Sequence, residues 1–423
     1  MASTTDYSVR LPEPTGNTTL DPAPKYDVNV LKDDRTQALR HLLEEGHQAV
    51  APLRNPSLIL HSHLPHLLGS AYALGADKDQ LKRTYEHDIK TLVAVDDSFP
   101  RGDQVTAENW RDSLTVKKYT MAYVDFFDEE IKKNDGDWNK VVQNYLFSGP
   151  EPIVNGGIGG LAHPFIHLAY AYEFNIPEVA SQALSLFCTE YAPLHGLLDQ
   201  YPPDTSTYQT DSLAEVLRRV QLDKRFDGLI EHPGTVGFGI ILGKRFQEAL
   251  EHWNAWKVGS PAKALEHICD MSVLVAISTG DREKKYDFFY AHVMTVCHAL
   301  RILFHHLPED RRECILRQYA MYAIFIYILQ FRLPFDKSAV DSIPTEGRDW
   351  TWVTEKALKH KWALDDHFFK VMRALKAFAE TYGEKDGYYL KAAIKYITEF
   401  DGWEGFGLGV EGFLPNRDGY VPE

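Results

Sequence analysis

The sequence predicts an all-α protein, and three observations lead to that prediction. From Lys32 onward, apolar residues recur at intervals of three and four, which is the helical period. Alternation of apolar and polar residues, typical of a half-buried strand, is scarce. The 423 residues are 44% hydrophobic and 25% charged, an ordinary globular balance that is ample for a large core. We therefore expect a compact multi-helix single body with one or two lobes.

The same periodicity predicts fifteen helices, separated by loops rich in proline and glycine. Asp77 is placed to begin one of them, and Pro177 and Pro261 sit at first-turn positions, where the missing N–H of proline costs nothing. In chain order the predicted helices span 34–50, 56–74, 77–93, 114–133, 138–146, 160–172, 177–190, 212–222, 242–258, 261–278, 283–306, 309–332, 349–359, 365–382 and 388–400.

Residues 1–30 contain four prolines among serines and threonines, so we predict an extended arm there and one catalytic helical domain over 31–423. The arm lacks the basic start and apolar run of a secretory signal. The longest apolar run, Ala320 to Leu329, is about half of the roughly 20 residues that a membrane span needs. Four scattered cysteines do not suggest a disulfide framework. A cytoplasmic protein with no membrane partner is expected.

The formal charge is −15, from 45 basic and 60 acidic side chains. An acidic surface repels polyanions, so we do not expect nucleic acid as a partner. The oligomeric state is left open by the sequence.

Motifs of the common cofactor and hydrolase classes lack their required context. Residues 407–412 fit GxGxxG, but only eleven residues follow, Pro415 among them, so the helix of a dinucleotide site has no room. GxSxG, HExxH and a Walker lysine pattern are missing from the sequence. Glu44 and His47 alone give the ExxH spacing, whereas a di-iron bundle needs two such pairs.

Histidine is the residue type that stands out, with 18 in the chain. His66 and His167 each follow another histidine by one helical turn, so either pair could chelate one metal ion. Imidazole is the most frequent ligand for iron, zinc and copper. A metal site is one interpretation, and ordinary hydrogen-bonded core histidines are the other. The apolar stretches concerned contain His63, His163, His292 and His367.

These stretches together resemble the questin oxidase-like family of fungal secondary-metabolite enzymes. The resemblance runs from about residue 35 to 382, and the order and spacing of the motifs are more specific than any one of them. Ser62 departs from the family pattern, in which we expect an asparagine before the histidine. The motifs read HSHLPHLLGSAYALGA at 61–76, GGLAHPFIHLAYAYE at 159–173, DFFYAHVMT at 287–295 and DDHFFKVMRAL at 365–375.

The resemblance implies oxidative ring opening of an anthraquinone-type aromatic polyketide. Part of the family resembles non-haem iron dioxygenases, so the implied cofactor is Fe²⁺ and the implied partners are the polyketide and dioxygen. Zinc is redox-inert and does not activate dioxygen. Carried onto this chain, the motifs imply Thr295 as a catalytic residue, His66 and His167 as reserve ligands, and a metal held by His63, His163, His292, His367 and Lys370.

Lys370 follows His367 by three residues, so both project from one helical face. A protonated ammonium is repelled by a divalent cation and has no lone pair to donate. The lysine could pair with Asp365 or Asp366, or act as a neutral amine. Alternatively, it captures carbon dioxide as a carbamate, an anionic ligand that offsets the charge of a histidine-only site. We favour the carbamate.

Two other functions stay open. One is an NADPH-dependent monooxygenase of Baeyer-Villiger type acting on questin-like anthraquinones, and the other is a non-catalytic helical binding protein. A flat substrate could stack on aromatic side chains near the histidines, although ordinary core packing explains each of them as well. These aromatics are Phe165, Phe288, Phe289, Tyr290, Phe368 and Phe369.

Overall fold

The computed structural model describes residues 6–54, 60–95, 102–279 and 285–407, and most of them are helical. This confirms the all-α prediction. None of the helices in those ranges is long and apolar enough to cross a membrane. The described helices are α1 (Asp34–Ala49), α2 (Leu64–Ala73), α3 (Lys78–Asp88), α4 (Thr120–Lys133), α5 (Trp138–Leu146), α6 (Gly159–Phe174), α7 (Pro177–Thr189), α8 (Gly196–Asp199), α9 (Leu213–Leu222), α10 (Phe238–Lys244), α11 (Phe246–Ala255), α12 (Pro261–Ile277), α13 (Phe288–Leu303), α14 (Glu309–Leu329), α15 (Ser338–Asp341), α16 (Trp350–Leu358), α17 (Asp366–Tyr382) and α18 (Tyr388–Glu399).

Short strands flank the helices that carry the histidines. In the first sheet β1 is central and antiparallel to both of its neighbours, with Leu53 opposite His61. In the second, β4 and β5 are parallel and place Asp287 beside Glu404. The strands are β1 (Val50–Arg54), β2 (Leu60–His61), β3 (Leu92–Ala94), β4 (Tyr286–Asp287) and β5 (Trp403–Glu404).

Several predicted boundaries are wrong. The helix predicted over 56–74 begins only at Leu64, because β1 and β2 pair immediately before it, and residues 55–59 lie outside the described ranges. The helix predicted over 242–258 is two helices, since Arg245 adopts φ −140° and breaks the turn. The helix predicted to end at residue 93 ends at Asp88. The helix predicted to begin at residue 114 begins at Thr120. The start predicted at 283 and nearly all of the GxGxxG segment lie outside the described ranges.

Local sequence signals mark the starts of three helices, as predicted. The Asp77 carboxylate accepts from the N–H of Gln80, whose side chain reaches back to the Asp77 N–H, forming a capping box. Pro177 and Pro261 occupy the first turns of α7 and α12.

Helix α13 lies at the centre of the core, and all sixteen of its residues are buried. It packs against α6, α12, α14 and α17, while α2 packs against α6 and α17. A helix without a polar face has to be covered on every side. The four helices that bear the histidine motifs therefore form a ring, in which each packs against two of the others.

Within the described part of the predicted arm, residues 6–30, the chain forms neither helix nor strand and lies against the helical body. The Tyr26 N–H donates to the Glu173 carbonyl at 2.8 Å. Thr15 donates both its backbone N–H and its hydroxyl to the Glu266 carboxylate, at 2.6 and 2.8 Å. These contacts hold the arm along α6 and α12.

Candidate metal centre

Four histidines meet near the amino-terminal ends of four neighbouring helices. His63 is the residue that precedes α2, His163 begins the right-handed part of α6, His292 lies in the second turn of α13, and His367 is the second residue of α17. Each of these residues is at most 6% exposed. The structure therefore brings together all four histidines that the sequence singles out.

Their Nε2 atoms face one another in two close pairs. Nε2 of His63 lies 2.5 Å from Nε2 of His163, and Nε2 of His292 lies 3.1 Å from Nε2 of His367. The pairs adjoin, since the ring centroids of His63 and His367 are 4.7 Å apart and those of His163 and His292 are 5.2 Å apart. Ring nitrogens of His63, His163 and His367 all lie within 4.8 Å of one another.

Backbone carbonyls hold the opposite ring nitrogen of two of these side chains. Nδ1 of His163 lies 2.5 Å from the Gly160 carbonyl oxygen, and Nδ1 of His292 lies 2.7 Å from the Phe288 carbonyl oxygen. A carbonyl oxygen only accepts, so each Nδ1 carries the proton and donates it. In the neutral ring this leaves Nε2 with a bare lone pair.

Asp366 lies against the other two histidines. Its Oδ2 atom is 3.1 Å from Nδ1 of His63, and its Oδ1 atom contacts Nδ1 of His367. Neither contact is an in-line hydrogen bond, but a carboxylate beside a ring nitrogen favours an N–H at that position. These two rings therefore also direct bare Nε2 atoms inward.

Arg54 provides the positive charge that balances Asp366. Its guanidinium lies 3.2 Å from the Asp366 carboxylate and 3.8 Å from that of Asp88. Burial raises the pKa of Asp88 to about 6, a shift that Arg54 opposes. Strand β1 thus anchors the carboxylate that lies between His63 and His367.

Burial keeps the four imidazoles neutral. It lowers the pKa of His63, His163, His292 and His367, and the charge of Lys370 lowers each of them further. Facing lone pairs at 2.5 and 3.1 Å repel unless a cation lies between them, and protons are disfavoured here. The arrangement is suited to a metal cation, for which neutral imidazole is an ordinary ligand.

A left-handed turn places His163. Gly160, Leu161 and Ala162 have φ values of 53°, 56° and 59°, and the right-handed helix starts only after them. For the two residues with a Cβ, this conformation costs roughly 1–2 kcal/mol each. The turn directs the Gly160 carbonyl back onto Nδ1 of His163. The strained backbone of residues 160–162 therefore helps to orient the His163 ring.

Lys370 is 1% exposed, and its Nζ atom lies 3.7 Å from Asp366 Oδ1. Burial lowers the pKa of this lysine to about 8, against the opposing effect of Asp366. The contact fits the alternative in which the lysine pairs with Asp366.

Thr295 is also buried, and its hydroxyl donates to the His292 carbonyl of its own helix at 3.4 Å. Its catalytic role stays a prediction.

The two reserve histidines bond to each other instead of joining the centre. Nε2 of His66 lies 2.9 Å from Nδ1 of His167, whose Nε2 lies 3.0 Å from Gln182 Oε1. Both rings are fully buried.

Among the aromatic residues predicted near the site, Phe288 lies directly against the histidines. Its ring centroid is 4.7 Å from that of His292 and 4.4 Å from that of His367. Phe406 packs on its other side at 5.0 Å, and Trp403 lies 6.0 Å from His367. An aromatic wall therefore covers one side of the centre, and Trp403 and Phe406 were missed from the sequence.

The sequence indicates Asp366 only as an alternative partner of Lys370, and it does not place Arg54 or His61 at the site. A signal existed for Asp366, because it directly precedes a candidate ligand, and carboxylates often orient such histidines. His61 stacks on His163 with centroids 4.6 Å apart and pairs with Glu190 at 2.6 Å. Nothing in the local sequence marks Arg54, which is brought in by strand pairing.

The comparisons with known proteins agree with the motifs. The questin oxidase of Aspergillus terreus is 24% identical over 367 residues, which cover 81% of this chain and 80% of that protein. A Baeyer-Villiger oxidase of Emericella nidulans is 32% identical over 281 residues, which cover 60% of this chain and 61% of that protein. A Baeyer-Villiger oxidase of Pestalotiopsis microspora is 25% identical over 269 residues, covering 57% of this chain and 59% of that protein.

A family model described as questin oxidase-like matches residues 60–375, a range that contains all four histidine motifs. Since this match covers most of the chain, the chain belongs to the questin oxidase-like family.

Proposed function

We propose that this protein is an oxygenase that opens a ring of an anthraquinone-type polyketide and holds one iron ion between four histidines. The observation that carries the proposal is a buried cluster of imidazoles in which ring nitrogens of His63, His163 and His367 lie within 4.8 Å of one another, with Nε2 of His292 at 3.1 Å from Nε2 of His367. The ligands are His63, His163, His292 and His367. Bound Fe²⁺ would supply the one-electron chemistry that lets dioxygen react with a closed-shell aromatic substrate.

The distances fit such an ion with a small adjustment. Metal–nitrogen bonds to imidazole are about 2.0–2.1 Å long, so two ligand nitrogens at a right angle lie about 3 Å apart. The His292–His367 separation of 3.1 Å matches that value. The His63–His163 separation of 2.5 Å would open by about half an ångström on binding.

The surrounding residues fix the ligands before any ion arrives. Asp366 restrains two rings, and the carbonyls of Gly160 and Phe288 restrain the other two. Such outer contacts raise the basicity of the ligands and reduce the reorganisation that binding requires. Phe288 and Trp403 exclude water from one side and offer flat faces against which a polycyclic substrate can stack.

The charge of the site supports the carbamate on Lys370. Four neutral imidazoles leave a ferrous centre doubly positive, and Asp366 is already offset by Arg54. A buried ammonium adds further repulsion. An amine whose pKa is lowered to about 8 has an accessible neutral form, which can attack carbon dioxide to form an N–C bond with release of one proton.

The relatives named Baeyer-Villiger oxidase favour a second candidate, a monooxygenase that draws electrons from NADPH. The two candidates differ in stoichiometry. A dioxygenase consumes no NADPH, whereas a monooxygenase consumes one equivalent for each product formed. A non-catalytic binding protein would consume neither dioxygen nor reductant.

One experiment separates the three candidates. Protein purified without chelators is assayed for metal content and then for oxygen consumption with an anthraquinone, with and without NADPH. We expect about one iron per chain, oxygen uptake without NADPH, and loss of both metal and activity after chelation. Full turnover by metal-free protein with NADPH would support the monooxygenase. Quinone binding without oxygen uptake in either condition would support the binding protein.

A further inference from the structure

A chain of four side-chain hydrogen bonds runs from the protein surface to α2, the helix that directly follows His63. Asp128 on α4 contacts Nε2 of His47 on α1 at 2.9 Å. Nδ1 of His47 lies 3.0 Å from Gln182 Nε2 on α7. Gln182 Oε1 lies 3.0 Å from Nε2 of His167, and Nδ1 of His167 lies 2.9 Å from Nε2 of His66. These four hydrogen bonds join five helices.

The surface end of this hydrogen-bond chain decides which partner donates in each bond. The Asp128 carboxylate only accepts, so a His47 ring with a single proton donates that proton from Nε2 and accepts at Nδ1. Its acceptor nitrogen requires the NH₂ group of Gln182, which turns Oε1 towards His167. His167 then donates from Nε2 and accepts at Nδ1, and His66 donates to it from Nε2. Every donor in the chain therefore points towards the surface.

The inner end of the hydrogen-bond chain lies one helical turn after the candidate ligands His63 and His163. His66 follows His63 by three residues in α2, and His167 follows His163 by four in α6. Positions three or four apart in a helix share a face. The same two helices therefore present two facing pairs, the His63–His163 pair at 2.5 Å and the His66–His167 pair at 2.9 Å. The second pair fixes the spacing of α2 and α6 next to the first.

We propose that His66, His167 and Gln182 are positioning residues that clamp α2 to α6, so that Nε2 of His63 and Nε2 of His163 meet. Asp128 sets the polarity of this clamp from the surface, where its side chain is 39% exposed. All three clamp residues are at most 7% exposed, so water does not compete for their bonds. The inference rests on the proposed function only in treating His63 and His163 as metal ligands.

A matched pair of substitutions at position 66 tests the clamp. In His66→Gln the amide nitrogen reaches as far as Nε2 and can still donate to His167. In His66→Asn the shorter side chain reaches only as far as Nδ1 and loses that bond. The dissociation constant for Co²⁺, followed by visible absorbance, is expected to rise less than threefold in His66→Gln. In His66→Asn we expect a rise of about 10- to 100-fold, the range for lost outer contacts of metal sites. Equal effects of the two substitutions would overturn the proposal.

The polarity is tested in metal-free protein, so the result does not depend on whether the centre binds metal. Nitrogen-15 spectra of labelled histidine report which ring nitrogen carries the proton. We expect His66 and His167 each to be protonated at Nε2 alone in the wild type, and to become tautomer mixtures in Asp128→Ala. Glu129→Ala, which removes an exposed carboxylate on the same helix, is the control. Unchanged signals in Asp128→Ala would show that the surface carboxylate does not set the polarity.

Discussion

Nε2 of His63 lies 2.5 Å from Nε2 of His163, and the two rings meet edge to edge, with their centroids 4.6 Å apart and their planes 25° apart. An acceptor oxygen lies beside Nδ1 of each ring, from the Asp366 carboxylate for His63 and from the Gly160 carbonyl for His163. Neither ring can therefore donate to the other without taking up a second proton, which burial opposes. This relationship is the physical basis for expecting a cation at the site.

Asp366 and Asp365 offer a matched pair of carboxylates for testing the outer contacts. Asp366→Asn replaces the acceptor that lies against His63 and His367, so metal affinity should fall about 10- to 100-fold. Asp365 accepts from the Phe368 N–H at the start of α17 and from the Trp403 indole. Asp365→Asn should cost about 1 kcal/mol of folding free energy while leaving metal affinity nearly unchanged. Metal titration and chemical denaturation of both variants measure the two effects.

Helix α13 contains a ligand candidate and a histidine outside the centre. His292→Ala and His163→Ala should each lose the stoichiometric metal and the oxygenase activity while keeping a helical circular dichroism spectrum. His298 is also buried and lies six residues after His292 in α13, but it does not belong to the cluster of ring nitrogens formed by His63, His163 and His367. His298→Ala should retain about one metal per chain and lose about 1–3 kcal/mol of stability. Metal loss in His298→Ala alone would contradict the ligand assignment.

Gly160 is the glycine that the site requires. A Cβ there would come within 2.8 Å of the His61 ring and 2.9 Å of the Glu190 side chain, at a φ of +53°. Gly160→Ala should therefore cost about 1–3 kcal/mol, and it should also weaken metal binding by displacing the carbonyl that orients His163. At Gly196 an added Cβ would meet no atom within 4 Å and φ is −55°, so Gly196→Ala is the control. Thermal melts and metal titrations of both variants test the prediction.

The sequence predicted the fold class and the four histidines because both depend on local patterns. Helical periodicity and apolar flanks can be seen within a dozen residues of each motif. The pairing of β1 with β2 depends on contacts between segments, so the late start of α2 could not be seen locally. The same limit explains why Arg54 was missed. It also explains why His66 and His167 could not be told from His63 and His163, since the choice depends on how α2 faces α6.

Acid should destabilise the metal-free protein. Burial lowers the pKa of His167 from 6.5 to about 4. Between these values the unfolded chain binds a proton that the folded chain does not, so stability is full above pH 6.5 and falls as the pH drops towards 4. The shift corresponds to about 3 kcal/mol. Chemical denaturation at pH 7, 6 and 5 measures the loss, which should be smaller in His167→Gln because an amide does not titrate. Equal losses in the two proteins would contradict this assignment.

Lys370 tests whether the centre gains an anionic ligand. Its ammonium form lies 3.7 Å from Asp366, and burial brings its pKa down to about 8, so roughly a tenth of the side chains are neutral at pH 7. If that fraction captures carbon dioxide, activity at limiting carbon dioxide should rise with added bicarbonate, and ¹³C-labelled bicarbonate should give a carbamate signal. Lys370→Ala should lose both the activity and the carbamate signal. Short carboxylic acids should partly restore the activity by filling the vacated ligand position. Lys376 pairs with Glu380 on the same helix, so Lys376→Ala is the control and should behave like the wild type. Activity that is insensitive to bicarbonate, without a carbamate signal in metal-loaded protein, would instead leave Lys370 as the ammonium partner of Asp366.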